Sequence, residues 1–406
     1  MMKTFFVICD GLGDRPIPKL GRKTPLEYAK TPNLDAIARR GIIGAMNTID
    51  IGVRPGSDTA HMAIFGYDPH VYYMGRGPFE TAGLRMEHKD GDICFRVNMG
   101  TVDDTLHIID RRAGRIGDTS AFARELNGMK IDGVEFFVKA GTGYRMGMIM
   151  RGKKLSTHIT DIDPGHVGKG VHMCEPTDDT PEAKRTAKIL NTFVSRAHKL
   201  LKRMPVNIDR QKNGLPQANY LLVRGAGVYP KLPRFFDKYG LRAACFAGAG
   251  LYKGIARLIG MDVVHVPGAT GKPDSNIRAK VETAIKHRKD YDFFFIHFKG
   301  ADSCGEDGDV EGKIAYIEKI DDAVAPLLKL KNSLVVITAD HSTPCTIKSH
   351  SADDVPIVIM GDEVRDDDVH EFSERTCAKG RMGHIKGMHV MPIILDLMGI
   401  AEKFGA

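Results

Sequence analysis

The chain has 406 residues, 42% of them hydrophobic and 27% charged, with a formal net charge of +7. These are ordinary values for a soluble globular protein, and the length allows two domains or three. The basic excess is thin, and its densest cluster, Lys199 to Arg203, reads as one face of an amphipathic helix. A small anionic substrate is therefore expected, and nucleic acid is not. Seven cysteines lie scattered without CxxC spacing, so a reducing cytoplasm is expected and a disulfide framework is not. No stretch approaches the ~20 apolar residues of a membrane-spanning helix, so no membrane association is expected. The sequence leaves the oligomeric state open.

In chain order, Thr4 to Cys9 reads as a strand buried on both faces. It is too short for a signal peptide and it ends in Asp10. After the Pro55-Gly56 turn, Asp58 to Phe65 is predicted as a helix with Ser57 at its start. From about 77 to 216 the pattern changes to short alternating segments, among them Phe136 to Val138 and Met146 to Met150, with one long amphipathic helix over Glu182 to Leu201. This stretch reads as an α+β domain inserted into a discontinuous one, 1–76 with 217–406. Tyr220 to Val223 and Ala243 to Phe246 are predicted strands of the first domain, and Leu251 to Leu258 a helix. Phe293 to Phe298, a helix over Lys313 to Leu330, and Leu334 to Thr338 form a strand–helix–strand unit. Val355 to Met360 is read as one more buried parallel strand. The expected class is α/β, a doubly wound sheet with a smaller α+β insert.

Ligands of such sheets bind beyond the carboxyl ends of the strands. That rule selects Asp10, Asp302, Asp340 and His341, and His350 lies on the loop before the next strand. One aspartate after a strand is ordinarily a helix cap or turn residue. Three, with an imidazole adjacent, suit a divalent-cation centre of the Mn²⁺, Mg²⁺ or Zn²⁺ kind. Ser57 is the nucleophile candidate, since a helix start and a nearby metal would both lower its pKa. The plain alternative is a capping serine worth ~1 kcal/mol. Asp110-Arg111-Arg112-Ala113-Gly114-Arg115 places three arginines beside a carboxylate, suited to phosphate and carboxylate oxygens, although such a run is more often a solvated face. Asp161, Asp163, Arg145, Arg224 and Lys253 are weaker candidates. Gly268 to Pro273 fails as a phosphate loop and Gly11-Leu12-Gly13 as a dinucleotide fingerprint, both for lack of required residues.

Several longer strings resemble the archaeal-type 2,3-bisphosphoglycerate-independent phosphoglycerate mutases of the alkaline phosphatase superfamily. They are Gly56-Ser57-Asp58-Thr59-Ala60-His61 with Ile64 to Pro69, Gly75 to Glu80, Asp110 to Ile116, Leu251 to Arg257, Thr338 to Pro344 and Lys348 to Pro356. The resemblance implies an alkaline-phosphatase-like core that interconverts 3-phosphoglycerate and 2-phosphoglycerate through a phosphoserine on Ser57. It also implies two divalent metals, commonly Mn²⁺, and no requirement for 2,3-bisphosphoglycerate. By family pattern Asp10, Asp340, His341 and Ser57 hold one metal, and Asp302, His350 and position 306 the other. Arg111, Arg112, Arg145, Arg224 and Lys253 would bind the substrate, with Asp110 as a base. Two departures stand out. Glu306 replaces the expected histidine, which shifts the expected preference toward Mn²⁺ or Mg²⁺ over Zn²⁺, and Gly143-Tyr144 replaces an acidic and imidazole pair. A phosphatase or phosphodiesterase would share the metals and Ser57, and a non-catalytic phosphoglycerate-binding relative is the third reading. If the nucleophile lies on the core and the arginines on the insert, the domains are expected to close for transfer, with hinges near Tyr73 to Pro78 and Asn213 to Pro216.

Overall fold

The computed structural model describes residues 2–405. The chain divides into two compact units, Met1–Tyr73 with Leu232–Ala406, and Met74–Lys231.

The first unit is built on an eight-stranded sheet. Its strands run across the sheet in the order Asp262–Val263, Ala243–Phe246, Phe293–Phe298, Lys3–Cys9, Ser333–Thr338, Val355–Met360, Gly41–Asn47 and Gly383–Lys386. The central strands are solidly apolar because both faces are covered: Phe5, Phe6, Val7, Phe293, Phe294 and Phe295 are all fully buried. Each such phenylalanine contributes roughly 1.5–3 kcal/mol of burial, and Phe5 stacks on Phe294 with centroids 4.5 Å apart. Lys3–Cys9 pairs in parallel with both Phe293–Phe298 and Ser333–Thr338, so the residues after all three strands emerge at one edge. The helix Val310–Val324 makes the crossover and hands over at Pro326, which lacks an N–H, to a 3₁₀ turn over Ala325–Lys329.

Two expectations are corrected here. Val355–Met360 is antiparallel to both of its neighbours. The segment before it contains no crossover helix and folds back on itself through a Ser342–Ser351 bridge, so the chain re-enters the sheet from the edge it has just left. That return keeps Asp340, His341 and His350 at one edge. Tyr220–Val228 belongs to the second unit, antiparallel to Ile93–Val102 from Gly100 opposite Tyr220 to Ile93 opposite Val228. An apolar run does not carry the identity of its partner strand. This pairing draws 217–231 into the second unit, and Asn213 to Pro216 lies inside that unit.

The second unit's sheet runs Ile108–Asp110, Ile93–Val102, Arg145–Arg151, Val134–Ala140, Met129–Ile131, with Tyr220–Val228 also on Ile93–Val102. The helix Pro181–Leu201 covers it, burying Ile189, Leu190, Phe193 and Val194, and Phe136 stacks on Phe193 at 3.9 Å. Its core is separate and rich in methionine, including Met99, Met146, Met148 and Met150.

Candidate active site

Asp10 leaves the end of Lys3–Cys9 and Gly11 follows at φ +66°. A Cβ on Gly11 would come within 2.6 Å of the Asp302 backbone, so only glycine lets these two segments approach. The Asp302 N–H then donates to the Asp10 carbonyl at 2.9 Å. Asp302 lies in the helix Gly300–Asp307, and Asp340 and His341 follow Ser333–Thr338. Two groups result, each with ligand atoms within 4.8 Å of one another: Asp10, Asp340 and His341, and Asp302, His341 and His350.

Hydrogen bonds set the tautomers of both histidines. Thr343 donates its hydroxyl proton to Asp302 Oδ1 at 2.8 Å and so accepts from His341 Nδ1 at 3.1 Å. His350 Nδ1 donates to the Pro55 carbonyl at 2.9 Å. Both rings therefore present an Nε2 lone pair inward, and they stack at 3.5 Å. Burial, with His350 beside it, pushes His341 down to about 3, so the ring is neutral. Burial, followed by the Asp10 charge, raises the Asp340 carboxyl well above its ordinary range. Its Oδ1 accepts from the Gly11 and His341 N–H groups, while the buried Oδ2 has no hydrogen-bond partner among the described residues. Burial alone would raise Asp302, but the Lys299 ammonium, His341 and His350 hold it well below the ordinary value. An orphaned carboxylate oxygen, two inward imidazole lone pairs and three buried aspartates are a donor set that fits divalent cations.

Ser57 opens the helix Ser57–Ile64. Gly56 is the N-cap, and Thr59 Oγ1 both accepts from the Gly56 N–H and donates to its carbonyl. The Ser57 hydroxyl points instead to His341 Nε2 at 3.2 Å, and His61 Nδ1 donates to the Ser57 carbonyl at 2.6 Å. Glu306, one turn beyond Asp302, stands outside both groups. Glu306 is exposed at its surface, yet partial desolvation, with the Asp302 charge next, raises its carboxyl.

Around Asp10 lie residues that the sequence reading did not single out. Tyr252 donates to Asp10 Oδ2, His297 Nε2 lies 3.1 Å from the same oxygen, and Lys299 contacts both Asp10 and Asp302. Their signal was position: Lys299 ends the Phe293–Phe298 segment at the ligand-bearing edge, and Tyr252 immediately precedes Lys253 on the helix Gly250–Leu258. Lys253 is half-buried in this same unit.

The remaining candidates belong to the second unit. Arg111 grips buried Asp163 with two bonds, Nε to Oδ1 at 3.2 Å and Nη2 to Oδ2 at 2.6 Å, while Arg224 lies 3.9 Å from Asp163. Asp110 accepts from the Arg112 and Gly114 N–H groups at 2.6 and 2.8 Å, which shapes the arginine loop. Arg112 and Arg145 lie over the Tyr144 ring at 5.8 and 4.8 Å. On the adjoining sheet face Glu80 sits among Arg96, Arg76 and Arg145. Burial would raise its carboxyl, but those charges hold it down to about 2.

A doubly wound sheet whose carboxyl edge gathers three aspartates, two histidines and a helix-start serine is a metalloenzyme framework. The sequence model of the Metalloenzyme superfamily matches residues 2–397. The protein of Methanocaldococcus jannaschii named 2,3-bisphosphoglycerate-independent phosphoglycerate mutase 1 is 49% identical over 409 residues, covering 100% of this chain and 99% of its own. Its namesake in Archaeoglobus fulgidus is 48% identical over the whole of both chains. The solved cofactor-independent phosphoglycerate mutase of Thermoplasma acidophilum is 37% identical with a TM-score of 0.69, covering 98% of this chain and 100% of its own. A solved Pyrococcus horikoshii protein is 38% identical with a TM-score of 0.85, covering 100% and 99%. The chain belongs to the 2,3-bisphosphoglycerate-independent phosphoglycerate mutase family.

Proposed function

We propose that this chain interconverts 3-phosphoglycerate and 2-phosphoglycerate through a phosphoserine on Ser57, with two divalent cations, Mn²⁺ foremost, and without 2,3-bisphosphoglycerate. The observation that carries the reading is the Ser57 hydroxyl. It caps no helix and is aimed at His341 Nε2, a member of both ligand groups. Asp10, Asp340, His341 and the Ser57 oxygen would hold one cation, and Asp302 and His350 the other, with Glu306 completing the second after a change of rotamer. When bound, these cations supply the charge that lowers the Ser57 pKa and neutralises the phosphoryl oxygens.

The chain's own residues do the rest. Ser57 Oγ, having lost its proton to solvent, forms a bond to phosphorus as the bond to the first glycerate oxygen breaks, and that oxygen takes up a proton. The positive end of the helix Ser57–Ile64, which begins at Ser57, would favour the phosphoryl charge. The other glycerate hydroxyl then attacks the phosphoserine, loses its proton and restores Ser57. Arg112, Arg145 and Arg224 bind the glycerate carboxylate and phosphate, with Arg111 set in place by Asp163 and Lys253 adding positive charge. The second unit thus acts as the substrate-binding unit. All seven cysteines are unpaired and buried, which supports a reducing, cytoplasmic setting.

The test is phosphorus NMR of metal-stripped, Mn²⁺-reloaded protein with 3-phosphoglycerate and no bisphosphoglycerate. The expected result is 2-phosphoglycerate without free phosphate. Free phosphate without isomer would make the chain a phosphatase, and neither product would make it a binding protein.

A further inference from the structure

Lys299 is the cation already present between the two ligand groups. Its Nζ lies 3.3 Å from each carboxylate oxygen of Asp10 and donates to Asp302 Oδ2. Asp10 belongs to one group and Asp302 to the other. The lysine side chain is 21% exposed, against 0% for Asp10 and 1% for Asp302, so the ammonium reaches inward from the rim on a flexible stem. Asp302 Oδ1 is occupied by the Thr343 hydroxyl, and Lys299 is the hydrogen-bond donor on Oδ2. Cations entering the groups compete with this ammonium for the same oxygens. Two divalent cations balance the charge of the three aspartates and Glu306, which leaves the ammonium little net carboxylate charge to answer.

We infer that Lys299 is a built-in counter-cation for the metal-free site, and that metal loading moves its ammonium off Asp10 and Asp302 and frees it for an anionic oxygen of the substrate. The inference rests on the two-cation reading of the site. It has a thermodynamic consequence: stability that the ammonium gives the metal-free state is lost again on loading, so it weakens metal affinity by the same factor.

Lys299→Met keeps the stem and removes the charge. The experiment measures Mn²⁺ affinity by electron paramagnetic resonance of free Mn²⁺, with unfolding temperatures in chelator and in saturating Mn²⁺. The variant is expected to unfold on the order of 5 °C lower in chelator, because a buried carboxylate pair has lost its partner. It is expected to match the parent in Mn²⁺ and to bind Mn²⁺ about tenfold more tightly. A variant that folds only with metal is the same result in its strongest form. Equal destabilisation with and without metal, failure to fold in either state, or unchanged or weaker Mn²⁺ binding would overturn the inference alone. Failure of the parent to bind Mn²⁺ would overturn the two-cation reading as well. In the unmodified chain, acetylation of Lys299 read by mass spectrometry should rise several-fold on Mn²⁺ loading, and unchanged labelling would overturn the release.

Discussion

Replacing Ser57 by alanine separates a nucleophile from a structural serine by size of effect. Gly56 and Thr59 satisfy the helix start, and the Ser57 hydroxyl makes one side-chain hydrogen bond, to His341 at 3.2 Å. Losing a neutral bond of that kind costs about 1 kcal/mol, which lowers Tm by about 2–4 °C in a unit of this size and leaves the protein folded at assay temperature. The same 1 kcal/mol, felt entirely in the transition state, slows turnover by less than about tenfold. A nucleophile is different, because its removal deletes the phosphoserine route. Turnover of 3-phosphoglycerate should fall by about 10⁴-fold or more, equivalent to ~5.5 kcal/mol of barrier. Phosphorus NMR supplies the rate, calorimetry the Tm, and mass spectrometry of acid-quenched protein the phosphorylated residue. A variant that retains more than about a tenth of parent turnover, or a parent that never carries phosphate on Ser57, would refute the assignment.

Three further outcomes are expected. Arg112→Met should raise KM about tenfold with stability changed by less than about 0.5 kcal/mol. Arg111→Met should instead destabilise the second unit by roughly 3 kcal/mol, since Asp163, 0% exposed, loses a two-bond partner; denaturant titration distinguishes them, and equal stability of the two variants would contradict the Arg111–Asp163 role. Glu306→His should move the order of activating metals toward Zn²⁺, and an unchanged order across Mn²⁺, Mg²⁺ and Zn²⁺ would remove Glu306 from the metal site. Burial raises Glu374 from 4.5 to about 7, against lowering by hydrogen bonds that include one from the Thr24 hydroxyl. The folded state then binds the extra proton, so this contribution to stability is full below about 4.5 and is lost as pH rises to about 7. Glu374→Gln should raise Tm at pH 8 and leave it nearly unchanged at pH 4, and a parallel shift at both would exclude Glu374 as the cause.

The sequence by itself determined the parts whose signal is local. Continuous apolar runs announced the strands Lys3–Cys9, Phe293–Phe298 and Ser333–Thr338, because burial on both faces leaves no room for polar alternation. The residues just after those runs then named Asp10, Asp340 and His341, and the helix pattern placed Ser57 at a start. Tertiary structure decided everything that depends on a partner. The reversed Val355–Met360 and the transfer of Tyr220–Val228 to the second sheet follow from pairings that an apolar run does not encode. The tautomers of His341 and His350 depend on Thr343 and on the Pro55 carbonyl, the latter distant in sequence. Arg111 proved to be held by Asp163, and Asp110 by its own loop. Lys299 was invisible for the same reason: a lysine after a strand is ordinary, and only its convergence on Asp10 and Asp302 gives the ammonium a role. Periodicity and chain position report which side chains are buried or lie at an edge. Which donor meets which acceptor is fixed by contacts between distant segments, and those exist only in the folded chain.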